Sequence, residues 1–206
     1  MIRLYRAPFS TNVERVALAL AHKGLPVESV WISYDDRSPV ERVSGQPLVP
    51  VVEFADGAVV FDSMQIVKVL EERFPAAPLY PPDFAGRART MRFVDWFNDV
   101  WKVAPNVIEA EIASPQPDVA RIEVLAATMA DALDVFERML DGRSYLLGAE
   151  FSAADIAAYP FLKYALWRDP QDDELFHRVL DSYQPLGDGH PGLKAWIERI
   201  DERPRV

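Results

Sequence analysis

Residues 2–32 read IRLYRAPFSTNVERVALALAHKGLPVESVWI, and their periodicity decides the fold class. Residues 2–5 (IRLY) read as a short strand. From Thr11 to Lys23 the apolar residues Val13, Val16, Ala17 and Leu20 recur at helical spacing, and Gly24 followed by Pro26 ends the run. Val27 to Ile32 is β-branched and apolar enough for a second strand. A strand, a helix of that length and another strand form a βαβ unit, whose crossover makes the two strands parallel and right-handed.

Downstream, Val51–Phe54 and Val59–Phe61 are apolar runs joined by Ala55-Asp56-Gly57-Ala58. Asp-Gly supplies the positive-φ residue that a hairpin turn needs. Asp62-Ser63 then opens a helix with Ile66, Val67 and Leu70 on one face, ending near Phe74-Pro75. The order β-α-β, then β-β-α, is that of a thioredoxin-like α/β domain.

Between Pro75 and Pro82 there are four prolines in eight residues, a composition that resists helix and ladder alike and suits a semi-rigid connector. The expected division is therefore a thioredoxin-like domain over 1–79, a Pro-rich linker over 80–86 and an all-helical bundle domain over 87–206. In the last of these, Ile122, Leu125, Met129, Leu133, Phe136 and Leu140 alternate spacings of three and four, the seam of a packed amphipathic helix. Ala153–Trp167 is apolar on nearly every side, which marks a buried helix, and Pro160 should kink it. Residues 168–192 read as irregular, with repeated Asp, Pro and Gly, before Leu193, Trp196, Ile197 and Ile200 form a last helix closed by Pro204.

Half of the 206 residues are hydrophobic, enough for a sizeable core. No apolar stretch approaches the roughly 20 residues of a membrane span, and the opening MIRLYRAPFS lacks the apolar core of a signal peptide, so a cytoplasmic protein without membrane partners is expected. The formal charge is −10, divided roughly as −2 over 1–79 and −8 over 80–206. Such acidity argues against nucleic acid as a partner. With no cysteine, the chain cannot form a disulfide, offer a thiolate of its own or build a Cys-X-X-Cys centre. His22, His177 and His190 have no ligand spacing, so no metal is expected and surface or capping roles suit them better.

Four stretches, in order, resemble the cytosolic glutathione transferase family. LYRAPFSTNVERV looks like the strand-loop-helix segment of its serine-type classes, phi, theta and zeta. LVPVVEFADGAVVFDS is similar to its Val-Pro, hairpin and acidic-Ser segment. YLLGAEFSAADIAAYP resembles the signature of its helical domain, and HPGLKAWIERIDERP its C-terminal helix. The resemblance implies an enzyme that takes glutathione as co-substrate, without metal, and joins its sulfur to a small, apolar electrophile. Isomerisation, peroxide reduction, dehalogenation, a different small thiol, and a non-catalytic binding protein on the same fold remain alternatives. A homodimer is implied as well.

The same resemblance assigns roles to residues. Ser10 falls on the catalytic serine, although Ser10, Thr11 and Asn12 are all good helix caps and one of them must serve as such. Thr11, Asn12 and Tyr5 are the competing thiol donors. The resemblance implies a cis bond at Val49-Pro50, with the Val49 backbone pairing with the cysteinyl part of the peptide, and the γ-glutamyl group held by Asp62 and Ser63; a trans proline that starts a strand, and a plain helix cap at Asp62, are the rival readings. Gln46 is a weaker candidate for the glycyl end, since SGQPLVP departs from the family's usual run and places Leu48 where a polar residue is common. Phe9, Trp96, Phe97 and Trp101 are candidates for an apolar second pocket, with a place in the core as the alternative. Ser152 and Asp155, in Ser-x-x-Asp, read as structural caps, with a cost of about 0.5–2 kcal/mol expected for Asp155→Ala.

Overall fold

A computed structural model describes all residues, 1–206, and divides them into two compact units, Met1–Pro82 with Arg203–Val206, and Asp83–Glu202. In the first unit, β1 (Ile2–Arg6), α1 (Thr11–His22), β2 (Val27–Trp31), α2 (Ser38–Ser44), β3 (Val51–Glu53), β4 (Val59–Phe61) and α3 (Ser63–Arg73) follow one another. The four-stranded sheet has the order β2-β1-β3-β4, with β1 and β2 parallel and the β1–β3 and β3–β4 pairs antiparallel. This is the thioredoxin-like arrangement.

Local chemistry accounts for the elements. The α1 core face, with Val13, Val16, Ala17 and Leu20 buried, packs with α3, whose Ile66, Val67 and Leu70 are wholly buried. The β3–β4 turn closes because Gly57 takes φ 84° and the Ala58 N–H donates to Asp56 at 3.1 Å. The short helix α2, unforeseen in the sequence, begins with Pro39 in its first turn and stops at Gly45, φ 74°. It buries Val40 against Tyr5, Ile32 and Val51.

The prolines after α3 are tied down by one cation. Lys23, its side chain fully buried, donates to Glu71 at 2.7 Å and to the Phe74 carbonyl at 2.8 Å, and reaches the carbonyls of Ala76 and Ala77. Glu71 in turn accepts the Leu79 N–H at 3.0 Å. A buried ammonium with that many oxygen partners is fully satisfied.

The second unit is all helix: α4 (Phe84–Trp96), a π-helical turn (Phe97–Trp101), α5 (Val103–Ala113), α6 (Val119–Leu140), α7 (Ala153–Leu162), α8 (Leu175–Tyr183) and α9 (Pro191–Asp201). α4 begins inside the connector expected over 80–86, because Asp83 caps it through the Gly86 N–H at 2.8 Å. α7 carries Pro160 and passes into a 3₁₀ turn at Lys163–Ala165. The region 168–192 is less irregular than its composition indicates, since α8 lies within it.

At the other end of the chain, Arg203–Val206 leave the helical unit and belong to the first. Arg6 donates to the Val206 carbonyl at 2.6 Å, Arg205 to Glu14 at 3.2 Å, and Arg203 to His22 Nδ1 at 2.8 Å. Of the histidines placed by sequence at surfaces or caps, His177 is buried instead. Its Nδ1 is 2.8 Å from Asp172, and its ring stacks on Tyr164, 4.8 Å between centroids. No helix is long and apolar enough to cross a membrane.

Candidate functional site

Strand register gathers three segments at one end of the sheet. Tyr5, near the end of β1, pairs with Val51 at the start of β3, and Val51 pairs with Phe61 at the end of β4. The loop from β1 into α1, the Val49-Pro50 bond before β3 and the Asp62-Ser63 start of α3 therefore leave the sheet side by side. The Val49-Pro50 peptide bond is cis. One cluster of side chains links the two helix starts. Ser63 Oγ donates to Asn12 Oδ1 at 3.4 Å, and Arg15 Nη1 donates to Ser63 Oγ at 3.2 Å and to Asn12 Oδ1 at 3.3 Å.

Ser10 caps α1, its Oγ accepting the Val13 N–H at 3.3 Å. The direction of that bond matters. A capping hydroxyl spends a lone pair, so its proton stays available to a further acceptor. The first turn of α1 supplies unbonded backbone N–H groups and the positive end of the helix dipole beside it. The preceding Phe9 holds φ 58°, an uncommon conformation for a bulky residue, and the residue is 38% exposed.

The rival donors stand differently. Tyr5 is buried and gives its hydroxyl to Glu53 at 2.9 Å. Burial first, then that hydrogen bond and the Glu53 charge, push its phenol above the ordinary value. Thr11 is buried, and the Asn12 carboxamide oxygen is taken up by Arg15 and Ser63.

At α3, Asp62 takes φ 68° and caps the helix, one oxygen accepting the N–H groups of Met64 and Gln65, each at 3.0 Å. Ser63 is buried beside it. Beneath both lies Arg15, 1% exposed, its pKa lowered to about 9 by burial while the Asp62 charge pulls the other way. Sequence reasoning missed Arg15. The available signal was a guanidinium on the apolar face of α1, between Val13 and Val16, where a cation is costly unless hydrogen-bonded. Together, two helix starts and a buried cation make a place where a carboxylate is stabilised.

Gln46 stays within its own loop, donating to Ser44 Oγ and the Leu48 carbonyl, each at 3.0 Å, and accepting the Leu48 N–H at 2.7 Å. Leu48 is exposed. Among the aromatic candidates, Trp96 is half-buried, whereas Phe97 and Trp101 lie in the core of the helical unit. Those two rings stack at 4.5 Å, and Phe136 and Phe161 pack around them. The Trp101 indole N–H is buried without an acceptor.

Ser152 and Asp155 form a capping box at the start of α7, the Ser152 N–H donating to Asp155 at 2.9 Å. Asp155 does more than cap. Fully buried, it also accepts from Ser152 Oγ at 3.0 Å, the Leu146 N–H at 3.0 Å and the Trp196 indole at 2.9 Å. Burial raises its pKa, and those donors oppose the rise.

Comparison with known proteins agrees across both units. Residues 4–78 match the model of the glutathione S-transferase N-terminal domain, and residues 116–199 that of the C-terminal domain. A probable glutathione S-transferase of rice, Oryza sativa subsp. japonica, is 26% identical over 221 residues, covering 100% of this chain and 93% of its own. The crystal structure of a glutathione S-transferase from Rhodospirillum rubrum F11 superimposes with a TM-score of 0.76 at 27% identity, over 99% of this chain and 89% of that one. A glutathione S-transferase from Methylobacillus flagellatus KT, solved with GSH bound, has the same fold, with a TM-score of 0.78 at 22% identity over the whole of both chains. With both of its domains matched in order and the relatives aligned almost end to end, the chain is an enzyme of the glutathione S-transferase family.

Proposed function

We propose that the chain binds glutathione at the shared end of the β1, β3 and β4 strands and activates its thiol through Ser10 for attack on a small electrophile. The observation that carries this reading is the direction of the Ser10 capping bond: Oγ accepts from Val13, and the hydroxyl proton is left for sulfur. A free thiol has a pKa near 8.5 and is mostly protonated at neutral pH. A donated hydroxyl at a helix N-terminus stabilises the thiolate and lowers that pKa by roughly two units, about 2.7 kcal/mol. The sulfur gives its proton to solvent and forms the S–C bond, and the leaving group departs with its electron pair.

The peptide's remaining groups follow from the site. Val49, before the cis proline, offers backbone groups to the cysteinyl residue in the manner of an added strand. Ser63, the α3 N-terminus and Arg15 suit the γ-glutamyl carboxylate, and the Asp62 oxygen not engaged in capping suits its ammonium. Gln46 fits the glycyl end less well, since both ends of its amide already have partners. In the thioredoxin-like unit Phe9, 38% exposed, suits an apolar second substrate; within the helical unit Trp96 is half-buried, and Phe97 and Trp101 belong to the core. With the family reading come a homodimer and a cytoplasmic location.

Calorimetric titration with glutathione, paired with conjugation assays on Ser10→Ala, tests the proposal. Binding at millimolar affinity or tighter and a rate loss of about 10-fold or more, the loss of one charge-assisted hydrogen bond, support it. Absence of binding, or an unchanged rate, contradicts it.

A further inference from the structure

We propose that Tyr34 is a positioning residue for the thiol site, holding the Phe9-Ser10 turn so that the Ser10 hydroxyl faces outward from α1; this rests on Ser10 being the thiol donor. The Tyr34 hydroxyl donates to the Pro8 carbonyl at 2.8 Å, two residues before Ser10. Between them Phe9 sits at φ 58°. A bulky residue keeps such a conformation only where its surroundings over-determine it. Phe9 is 38% exposed, so packing supplies only part of that hold, and Pro8 has no N–H with which to anchor itself. The Tyr34 bond grips the turn from outside.

Tyr34 is itself secured. The Arg37 guanidinium lies 4.5 Å over its ring, and the Arg37 carbonyl accepts the N–H groups of Val40 and Glu41 in the first turn of α2, both at 3.1 Å. At the loop's other end the buried Ile32 donates its N–H to the Arg6 carbonyl at 2.8 Å. A chain of contacts thus runs from α2 through Arg37, Tyr34 and Pro8 to the catalytic hydroxyl. Tyr5, the tyrosine that sequence reading placed among the donors, is turned to Glu53, so Tyr34 is the tyrosine that acts on this loop.

Tyr34→Phe keeps the ring and its cation and removes only the hydrogen bond. The thiolate absorbance of bound glutathione, titrated against pH, should show the bound thiol's pKa raised by about half a unit. At pH 5.5, about one unit below the pKa of the bound thiol, kcat should fall about 3-fold with KM for glutathione changed less than about 2-fold. The melting temperature should stay close to that of the unaltered protein, because the bond is exposed. Ser10→Ala is titrated in parallel. If Ser10→Ala shifts the thiol's pKa and Tyr34→Phe does not, positioning by Tyr34 is overturned while the role of Ser10 stands. If neither shifts it, the assignment of Ser10 fails, and this inference with it.

Discussion

Each unit carries a serine and an aspartate at helix starts, and the two sets are put to opposite use. In the helical unit, Ser152 and Asp155 are buried, and the carboxylate is met by donors from Ser152, Leu146 and Trp196. In the thioredoxin-like unit, Ser10 is half-buried and spends only an acceptor site on capping, and Asp62 caps with one oxygen. A cap whose polar capacity is exhausted inside the protein is structure. A cap with capacity to spare, at a place where chain segments converge, can receive a ligand.

The comparison breaks most visibly at Asp155. Asp155→Ala orphans the buried Leu146 and Trp196 donors as well as removing a cap, so the cost should reach about 3 kcal/mol, above the figure expected from capping alone. Chemical denaturation measures it, and glutathione conjugation per folded molecule should be unchanged. Ser10→Ala should invert that pattern, with a rate loss of about 10-fold against a stability cost near 1 kcal/mol for one half-buried cap. If both variants lose stability and rate in step, the distinction between the two capping sites is gone.

A smaller effect is expected at His22. Its Nδ1 accepts from Arg203, which requires a neutral ring, and burial, then the Arg203 charge, hold its pKa below the usual value. The unfolded chain therefore binds the proton more readily. Stability from this contact is complete above the unfolded pKa of about 6.5 and declines as pH falls toward the folded one. His22→Asn keeps an acceptor that does not titrate, so its stability should vary less between pH 7 and 5 than that of the unaltered protein. The smallest effect belongs to Tyr5→Phe, whose hydroxyl is committed to Glu53. Conjugation rates should stay within about 2-fold, and a loss as large as that of Ser10→Ala would move the donor to Tyr5.

What could be read in the residues depended on how local the governing physics is. The βαβ unit, the Asp-Gly hairpin and α6 are legible because their signals, period and turn chemistry, are contained within the segment. The two-turn helix α2 is too short for a period to show, and α8 hides between Asp, Pro and Gly, with its His177 buried by Asp172 and Tyr164 from outside the helix. The return of Arg203–Val206 to the first unit rests on partners nearly the whole chain away, Arg6, Glu14 and His22. The site divides along the same line. Ser10 and Asp62 announce themselves as caps, but which lone pair each spends, and the presence of Arg15 beneath Ser63, follow only from tertiary packing.

The central claim is that the Ser10 proton, unspent in capping, stabilises sulfur. The most direct measurement is the ultraviolet thiolate absorbance of bound glutathione across pH 5 to 9, with and without the Ser10 hydroxyl. The account predicts a bound thiol ionising roughly two units below 8.5 in the unaltered protein and moving back toward 8.5 in Ser10→Ala. An identical titration for the two proteins would contradict it.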